Sequence, residues 1–241
     1  MPKVFITGGA VRLGRGLALK FAEKGWDVAF SYFHSAEKAK VTSNEITKHN
    51  VRNYNFQVDL RNYKQLRAEF EKMIDVFGIP DVVINNAAVF PPQKSLTELK
   101  VEEWHSVLDA NLNSVFYVSK IFAEYAENNS KIINIASIGA MEIWDGRIPY
   151  HVSKAGVLQL TKALARDLAP RISVNSISPG TIVIEGEPDG ENVPAISADR
   201  TPMKRNANVD DIFNVCYFLA TTENFITGTN IIVDGGYSLT R

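Results

Sequence analysis

Short apolar runs alternate along the whole chain with longer stretches in which apolar residues return every third or fourth position. The runs from Lys3 to Thr7, Trp26 to Tyr32, Asn53 to Val58, Asp81 to Asn85, Lys131 to Ser137, Ile172 to Ile177 and Asn230 to Val233 have the length and residue types of strands. Between the first two, Leu13, Leu17, Ala18, Phe21 and Ala22 share one helical face, and Gly25 ends that helix. The later strands are separated in the same way. Alternation of this kind marks βαβ units, whose crossovers are right-handed. The pattern therefore predicts a doubly wound (Rossmann) α/β fold: a mostly parallel seven-stranded sheet, helices on both faces, and a crevice at the carboxyl ends of the strands.

The chain of 241 residues is 45% hydrophobic and has no repeat, low-complexity tract or linker, so residues 1–241 are expected to form a single domain. One segment has no clear period. It runs from Gly180 to Arg205, carries Gly186, Pro188, Gly190, Pro194 and Pro202, and is too long for an ordinary connection. A solvated substrate lid over 180–205 is expected. Its acids, Glu185, Glu187, Asp189 and Glu191, lack the spacing of a calcium loop.

Charge and rare residues narrow the function. A formal net charge of -1 gives no electrostatic footprint for nucleic acid or an anionic membrane. The single Cys216 excludes an internal disulfide framework and reads as a core residue on a helix. His34, His49, His105 and His151 have no metal-ligand spacing, so no metal site is expected. A strand beginning at Lys3 leaves no room for a signal peptide, and no apolar run has the length of a membrane span. The expectation is a soluble cytoplasmic protein.

Thr7-Gly8-Gly9-Ala10-Val11-Arg12-Leu13-Gly14-Arg15-Gly16 follows the first strand and opens the first helix. Glycines there permit a tight turn and close backbone approach, and the helix N-terminus offers free N–H groups to a pyrophosphate. Folds that choose NAD usually place a carboxylate at the end of the second strand for the ribose 2′-OH. This chain reads Ser31-Tyr32-Phe33-His34-Ser35 there, with Asp27 at the wrong end of the strand. A 2′-phosphate meets no repulsion, and Ser31, His34 and Ser35 can donate to it, so NADP(H) is favoured over NAD(H). The competing reading makes Ser35 the N-cap of the next helix. Asp59, in Val58-Asp59-Leu60, either receives the adenine amino group or caps the helix that follows. The small residues of Asn85-Asn86-Ala87-Ala88 let the chain pass close to an adenosine ribose, or simply begin a loop.

Tyr150 and Lys154 stand four apart, which on a helix places them on one face, and Ser137 closes an apolar strand upstream. A tyrosine of ordinary pKa about 10 is a poor acid or base near neutrality, and a neighbouring ammonium lowers it. Ser137 at the strand end can hydrogen-bond a substrate oxygen. Taken singly, the Tyr–Lys pair reads as a surface pair, Ser137 as a cap and Asn111 as a polar break in a helix.

In order and over the whole chain, Thr7-Gly8 with its glycine-rich loop, Asn85-Asn86-Ala87-Ala88, Asn111, Ser137, Tyr150-x-x-x-Lys154, Pro179-Gly180 and Val233-Asp234-Gly235-Gly236 resemble the classical short-chain dehydrogenases/reductases. The resemblance implies that Tyr150 is the general acid/base, that Lys154 binds the nicotinamide ribose and lowers the tyrosine pKa, and that Ser137 orients the substrate oxygen. Asn111 would hold the water linking Lys154 to solvent. The cofactor would run past Gly8, Arg12, Leu13, Gly14, Leu60, Asn86, Ala87 and Ala88, with its carboxamide at the backbone of Pro179, Gly180 and Ile182. A homotetramer is implied too, with the helix of Val115, Phe116, Val118, Ile121 and Phe122 as candidate interface.

A narrower resemblance is to the pteridine reductase branch, carried by Arg12, by Phe90 shortly after the Asn-Asn-Ala-Ala motif, and by the ending Gly235-Gly236-Tyr237-Ser238-Leu239-Thr240-Arg241. In that branch the arginine approaches the cofactor phosphates and the aromatic ring sandwiches the pterin. The branch carries an aspartate where this chain has Ser137 and a polar residue where it has Ala88. The expected function is NADP(H)-dependent hydride transfer between nicotinamide and a small carbonyl or alcohol substrate. Reduction of a dihydropterin is the alternative enzyme reading. A non-catalytic cofactor sensor is the other, although such sensors commonly lose the tyrosine or the lysine.

Overall fold

Strands covered by helices on both faces need apolar side chains in both directions, and the short runs supply them. The computed structural model describes residues 1–184 and 198–240. In chain order its elements are β1 (Lys3–Ile6), α1 (Arg12–Glu23), β2 (Asp27–Tyr32), α2 (Ala36–Thr47), β3 (Asn53–Gln57), α3 (Tyr63–Phe77), β4 (Val82–Asn85), α4 (Val101–Leu108), α5 (Ser114–Tyr125), β5 (Ser130–Ile135), α6 (Ile148–Leu168), β6 (Ile172–Pro179), α7 (Val209–Thr221) and β7 (Asn230–Val233). The seven strands form one parallel sheet in the order β3-β2-β1-β4-β5-β6-β7. The order reverses between β1 and β4, which opens a crevice at the carboxyl edge.

Alternation along β1 shows how the core divides. Val4 and Ile6 join a cluster with Leu17 and Phe21 of α1 and Phe213 of α7, while Phe5 points to the other face, among Phe56, Phe70 and Phe122. Phe5 stacks on Phe56 at 5.6 Å and meets Phe70 edge-on at 5.2 Å. Each fully buried ring contributes about 1.5–3 kcal/mol. Cys216 lies in the first cluster, fully buried, as its helical position implied.

Several element ends differ from expectation. β5 stops at Ile135, and Ser137 instead caps a one-turn helix, Ile138–Ala140, by accepting the Gly139 N–H at 3.0 Å. β6 continues to Pro179, paired with Val233 of β7. The cap of α3 is Asn62, whose side chain accepts the Gln65 N–H at 3.1 Å, so the capping alternative for Asp59 does not hold. Between α4 and α5 the helix widens into a π-turn, Asp109–Asn113, which contains Asn111.

The candidate interface helix, α5, turns most of its apolar stripe into its own fold and leaves its outer face for a second subunit. Val115, Val118, Ile121 and Phe122 are buried within the fold, and only Phe116 of the five is exposed, at 44%. An apolar stripe on a helix looks the same whether it meets its own sheet or a second subunit, so periodicity could not separate the two. Glu185, Glu187, Asp189 and Glu191 fall within residues 185–197, the half of the expected lid that lies outside the described residues. Among the described residues no helix is long and apolar enough to cross a membrane, and no cluster of potential metal ligands occurs.

Candidate active site

The glycine-rich loop is shaped by its backbone. Gly8 adopts φ +68° and Arg12, though not glycine, φ +51°. The left-handed turn at Arg12 is the conformation that a glycine would take more cheaply there. Leu13 and Gly14 sit buried in the first turn of α1. A Cβ on Gly14 would overlap the Gly8 carbonyl oxygen and stand 2.6 Å from Asn86 Nδ2. Asn86 Nδ2 donates to the Thr7 carbonyl at 2.9 Å, and the Thr7 hydroxyl accepts the Asn86 and Ala87 N–H groups at 2.9 and 3.0 Å. The start of α1 carries no side-chain cap and no acid in its first turn. Its N–H groups thus remain suited to a pyrophosphate, and the loop fits a dinucleotide.

Beside that loop lies a crevice of about 270 Å³, into which Gly8, Ser31, His34, Asp59, Leu60, Ala87 and Ala88 all project. Ser35 stands at the N-cap position of α2 but makes no side-chain capping bond, so its hydroxyl is not spent on the helix. Asp59 is held by Arg61, whose Nε and Nη2 donate to its carboxylate at 2.9 and 2.7 Å, and the guanidinium keeps the carboxyl below its usual range. Arg61 also lies over the Phe33 ring at 5.8 Å and lines the crevice. Nothing in the sequence singled it out, because its role depends on two separate strand ends meeting.

At the other side of the crevice, Pro179 ends β6 and Gly180 N–H donates to the Val233 carbonyl at 2.9 Å. A Cβ at Gly180 would sit 3.0 Å from the Asp234 Cα. Ile182 pairs with Ala207 in a short bridge, which carries the chain away from the sheet.

The catalytic candidates converge near the carboxyl end of β5. Tyr150 and Lys154 lie on the first turns of α6, which begins with Pro149 near its N-terminus as helices commonly do. Ser137 hydrogen-bonds Tyr150. Lys154 Nζ donates to the Ile135 carbonyl at 2.8 Å and lies 5.9 Å from the Tyr150 ring centroid. Burial holds the Lys154 ammonium down to about 8. Burial also pushes the Tyr150 phenol above its ordinary value, with the Ser137 hydrogen bond acting the other way. This reverses the expected lowering by Lys154: desolvation of the phenolate outweighs an ammonium already committed to a carbonyl. Asn111, 1% exposed, accepts the Val89 N–H at 2.7 Å and donates to the Val89 carbonyl and the Ser153 hydroxyl. It thereby ties the loop after β4 to the catalytic helix.

Aromatic rings pack around Tyr150. Phe90 meets the Tyr150 ring edge-on at 4.7 Å, and Arg147 packs over Phe90 at 4.3 Å. Trp144 lies nearly parallel to Tyr150, at 6.4 Å and 22°. Trp144 and Arg147 stand in an aperiodic stretch and carried no recognisable motif. An aromatic followed by a cation just before the Tyr-x-x-x-Lys motif was the available hint.

Comparison with known proteins agrees with this geometry. The family model described as enoyl-(acyl carrier protein) reductase matches residues 9–238. The 3-oxoacyl-(acyl-carrier-protein) reductase FabG of Staphylococcus epidermidis is 35% identical over 237 residues, 96% of each chain. The FabG of Staphylococcus aureus is 34% identical over 236 residues, again 96% of each. Among solved structures, a short-chain dehydrogenase/reductase from Serratia marcescens has a TM-score of 0.91 at 29% identity, covering 98% of both chains. A short chain dehydrogenase from Burkholderia cenocepacia in complex with NADP has a TM-score of 0.91 at 30% identity, also covering 98% of both.

Proposed function

The chain belongs to the short-chain dehydrogenase/reductase family, and from that premise we propose that it is an NADPH-dependent reductase of ketones, acting through Ser137, Tyr150 and Lys154. The observation that carries this reading is that Ser137 hydrogen-bonds Tyr150 and that the buried Lys154 Nζ lies 5.9 Å from the Tyr150 ring. A bound NADPH supplies the hydride. Ser137 hydrogen-bonds the substrate carbonyl oxygen and polarises it. Tyr150, protonated near neutral pH as a phenol is, gives that oxygen a proton. Lys154 anchors the nicotinamide ribose and steadies the phenolate once the proton has gone. Asn111 keeps Val89 and the catalytic helix in register, and Arg12, Leu13 and Gly14 hold the pyrophosphate end. Preference for NADPH follows from the end of β2, where Ser31, His34 and Ser35 present no carboxylate to a 2′-phosphate.

The similarity to the 3-oxoacyl-(acyl-carrier-protein) reductases makes a 3-oxoacyl thioester the natural first substrate to try. A second reading, reduction of a dihydropterin, is favoured by the rings of Phe90, Trp144 and Tyr150, which suit a flat heterocycle. Against it, protonating a ring nitrogen calls for an acid, and Ser137 has none to offer. Steady-state assays with acetoacetyl coenzyme A, menadione and dihydrobiopterin, each with NADPH and NADH, test both readings. The expected order places the ketone and quinone above the pterin and NADPH above NADH in kcat/KM. Tyr150→Phe is expected to lower turnover by about two to four orders of magnitude while retaining cofactor affinity. Normal turnover in that variant removes Tyr150 from its role, and faster dihydropterin reduction replaces the ketone with the pterin.

A further inference from the structure

One buried side chain that the proposed chemistry leaves unused joins α6 to the aromatic cluster around Tyr150. His151, next to Tyr150 and 5% exposed, reaches two residues of the segment after Ser137. Its Nδ1 lies 2.6 Å from the Gly139 carbonyl oxygen, and its Nε2 lies against the Trp144 backbone, 3.0 Å from the N–H and 3.1 Å from the carbonyl oxygen. We assign the proton to Nδ1, because the Gly139 carbonyl at 2.6 Å is the shorter acceptor and has no other claim on the ring, which leaves the Nε2 lone pair for the Trp144 N–H rather than for the Trp144 carbonyl.

These two partners shape the site. A Cβ built on Gly139 would stand 3.1 Å from both the Trp144 Cζ3 and the Tyr150 Cε1 and 3.3 Å from the Ser137 hydroxyl. Gly139 is thus the spacer between the indole, the phenol and the serine. Trp144 Nε1 is buried and has no hydrogen-bond partner. An orphaned buried donor is costly, and a substrate acceptor would satisfy it. Beyond Trp144 the segment is held by the Gly146 carbonyl, which accepts the Lys94 N–H at 3.0 Å, and by the Asp145 carbonyl, which accepts from Gln93. At the indole itself, His151 supplies the backbone anchor.

We propose that His151 is a positioning residue and Trp144 a substrate-contact residue: the imidazole sets the indole beside Tyr150, and the indole N–H hydrogen-bonds an acceptor on the substrate. This rests on the ketone reductase reading for its kinetic consequence but not for its structural one. Binding is affected equally in the ground and transition states, so the effect appears in KM and not in kcat.

The test uses the full chain labelled with 5-fluorotryptophan, whose three 19F resonances, for Trp26, Trp104 and Trp144, are assigned by Trp144→Phe. His151→Gln keeps an acceptor for the Trp144 N–H, whereas His151→Asn keeps a donor for Gly139 but loses that acceptor. Expected in His151→Asn and His151→Ala are a displaced Trp144 resonance, with the other two unmoved, and a rise of about tenfold in KM for acetoacetyl coenzyme A. The same variants should change kcat by no more than about twofold and leave the NADPH Kd unaltered. His151→Gln should resemble the parent, and adding His151→Asn to Trp144→Phe should cost nothing further. An unmoved Trp144 resonance in His151→Asn overturns the positioning role whatever the substrate proves to be. A KM equal to the parent's in Trp144→Phe overturns the contact. Failure of acetoacetyl coenzyme A in the parent counts against the ketone reading, while the 19F result still decides the role of His151.

Discussion

Lys154 carries a charge in surroundings that resist it, and this makes the cofactor-free protein sensitive to pH in a defined direction. The unfolded chain keeps the lysine proton up to its ordinary value of 10.5, while the folded chain releases it at about 8. Below pH 8 both states are protonated and the cost of the buried charge, about 3 kcal/mol, is present in full. Between about 8 and 10.5 the unfolded state binds more protons, so stability rises with pH relative to a chain lacking the group. Urea unfolding of the parent and of Lys154→Met at neutral pH and near pH 9.5 should show the advantage of the methionine variant shrinking by about 2 kcal/mol. A constant difference would mean that Lys154 is hydrated in the free protein. At this scale the sequence singled out Ser137, Tyr150 and Lys154 by their spacing, and the fold brings the three together. The direction of the Tyr150 shift was hidden, because it depends on how deeply the fold encloses the phenol.

Elements were legible wherever periodicity or turn chemistry decided them. The seven apolar runs became strands, and Gly25 ended α1 with φ +76°. Ends set by pairing or by one hydrogen bond were not legible: β6 runs on because Val233 pairs with Pro179, and Asn62 took the cap that Asp59 was equally equipped for. The segment holding Trp144 and Arg147 has no period to read, and its shape comes from His151 and from residues 93 and 94. The junction of the glycine-rich loop with α1 yields a prediction that belongs to the element. Gly14→Ala places a methyl group against the Gly8 carbonyl and Asn86 Nδ2, so the helix must move off the loop. The expected cost is about 1–3 kcal/mol in unfolding free energy, with NADPH affinity reduced by about tenfold or more. Unchanged affinity measured by calorimetry would separate the loop from the cofactor site.

For the whole molecule, the remaining expectation is assembly. With the stripe on α5 turned inward, the apolar groups left for a second subunit are Phe116 and scattered residues such as Val101 and Phe225, all exposed. A homotetramer, as the family resemblance implies, should appear in light scattering at about four times the 26.8 kDa of one chain, and substituting Phe116 with Glu should shift it to smaller species. A single-chain mass in the parent would contradict this. The crevice itself lies where the sheet order reverses, between β1 and β4. There the Thr7 hydroxyl takes the N–H groups of both Asn86 and Ala87, so one oxygen joins the two halves of the sheet where the order reverses. Because that single oxygen takes both N–H groups, the chain leaves β1 and β4 from one common point, and losing the hydroxyl would free both loop starts at once.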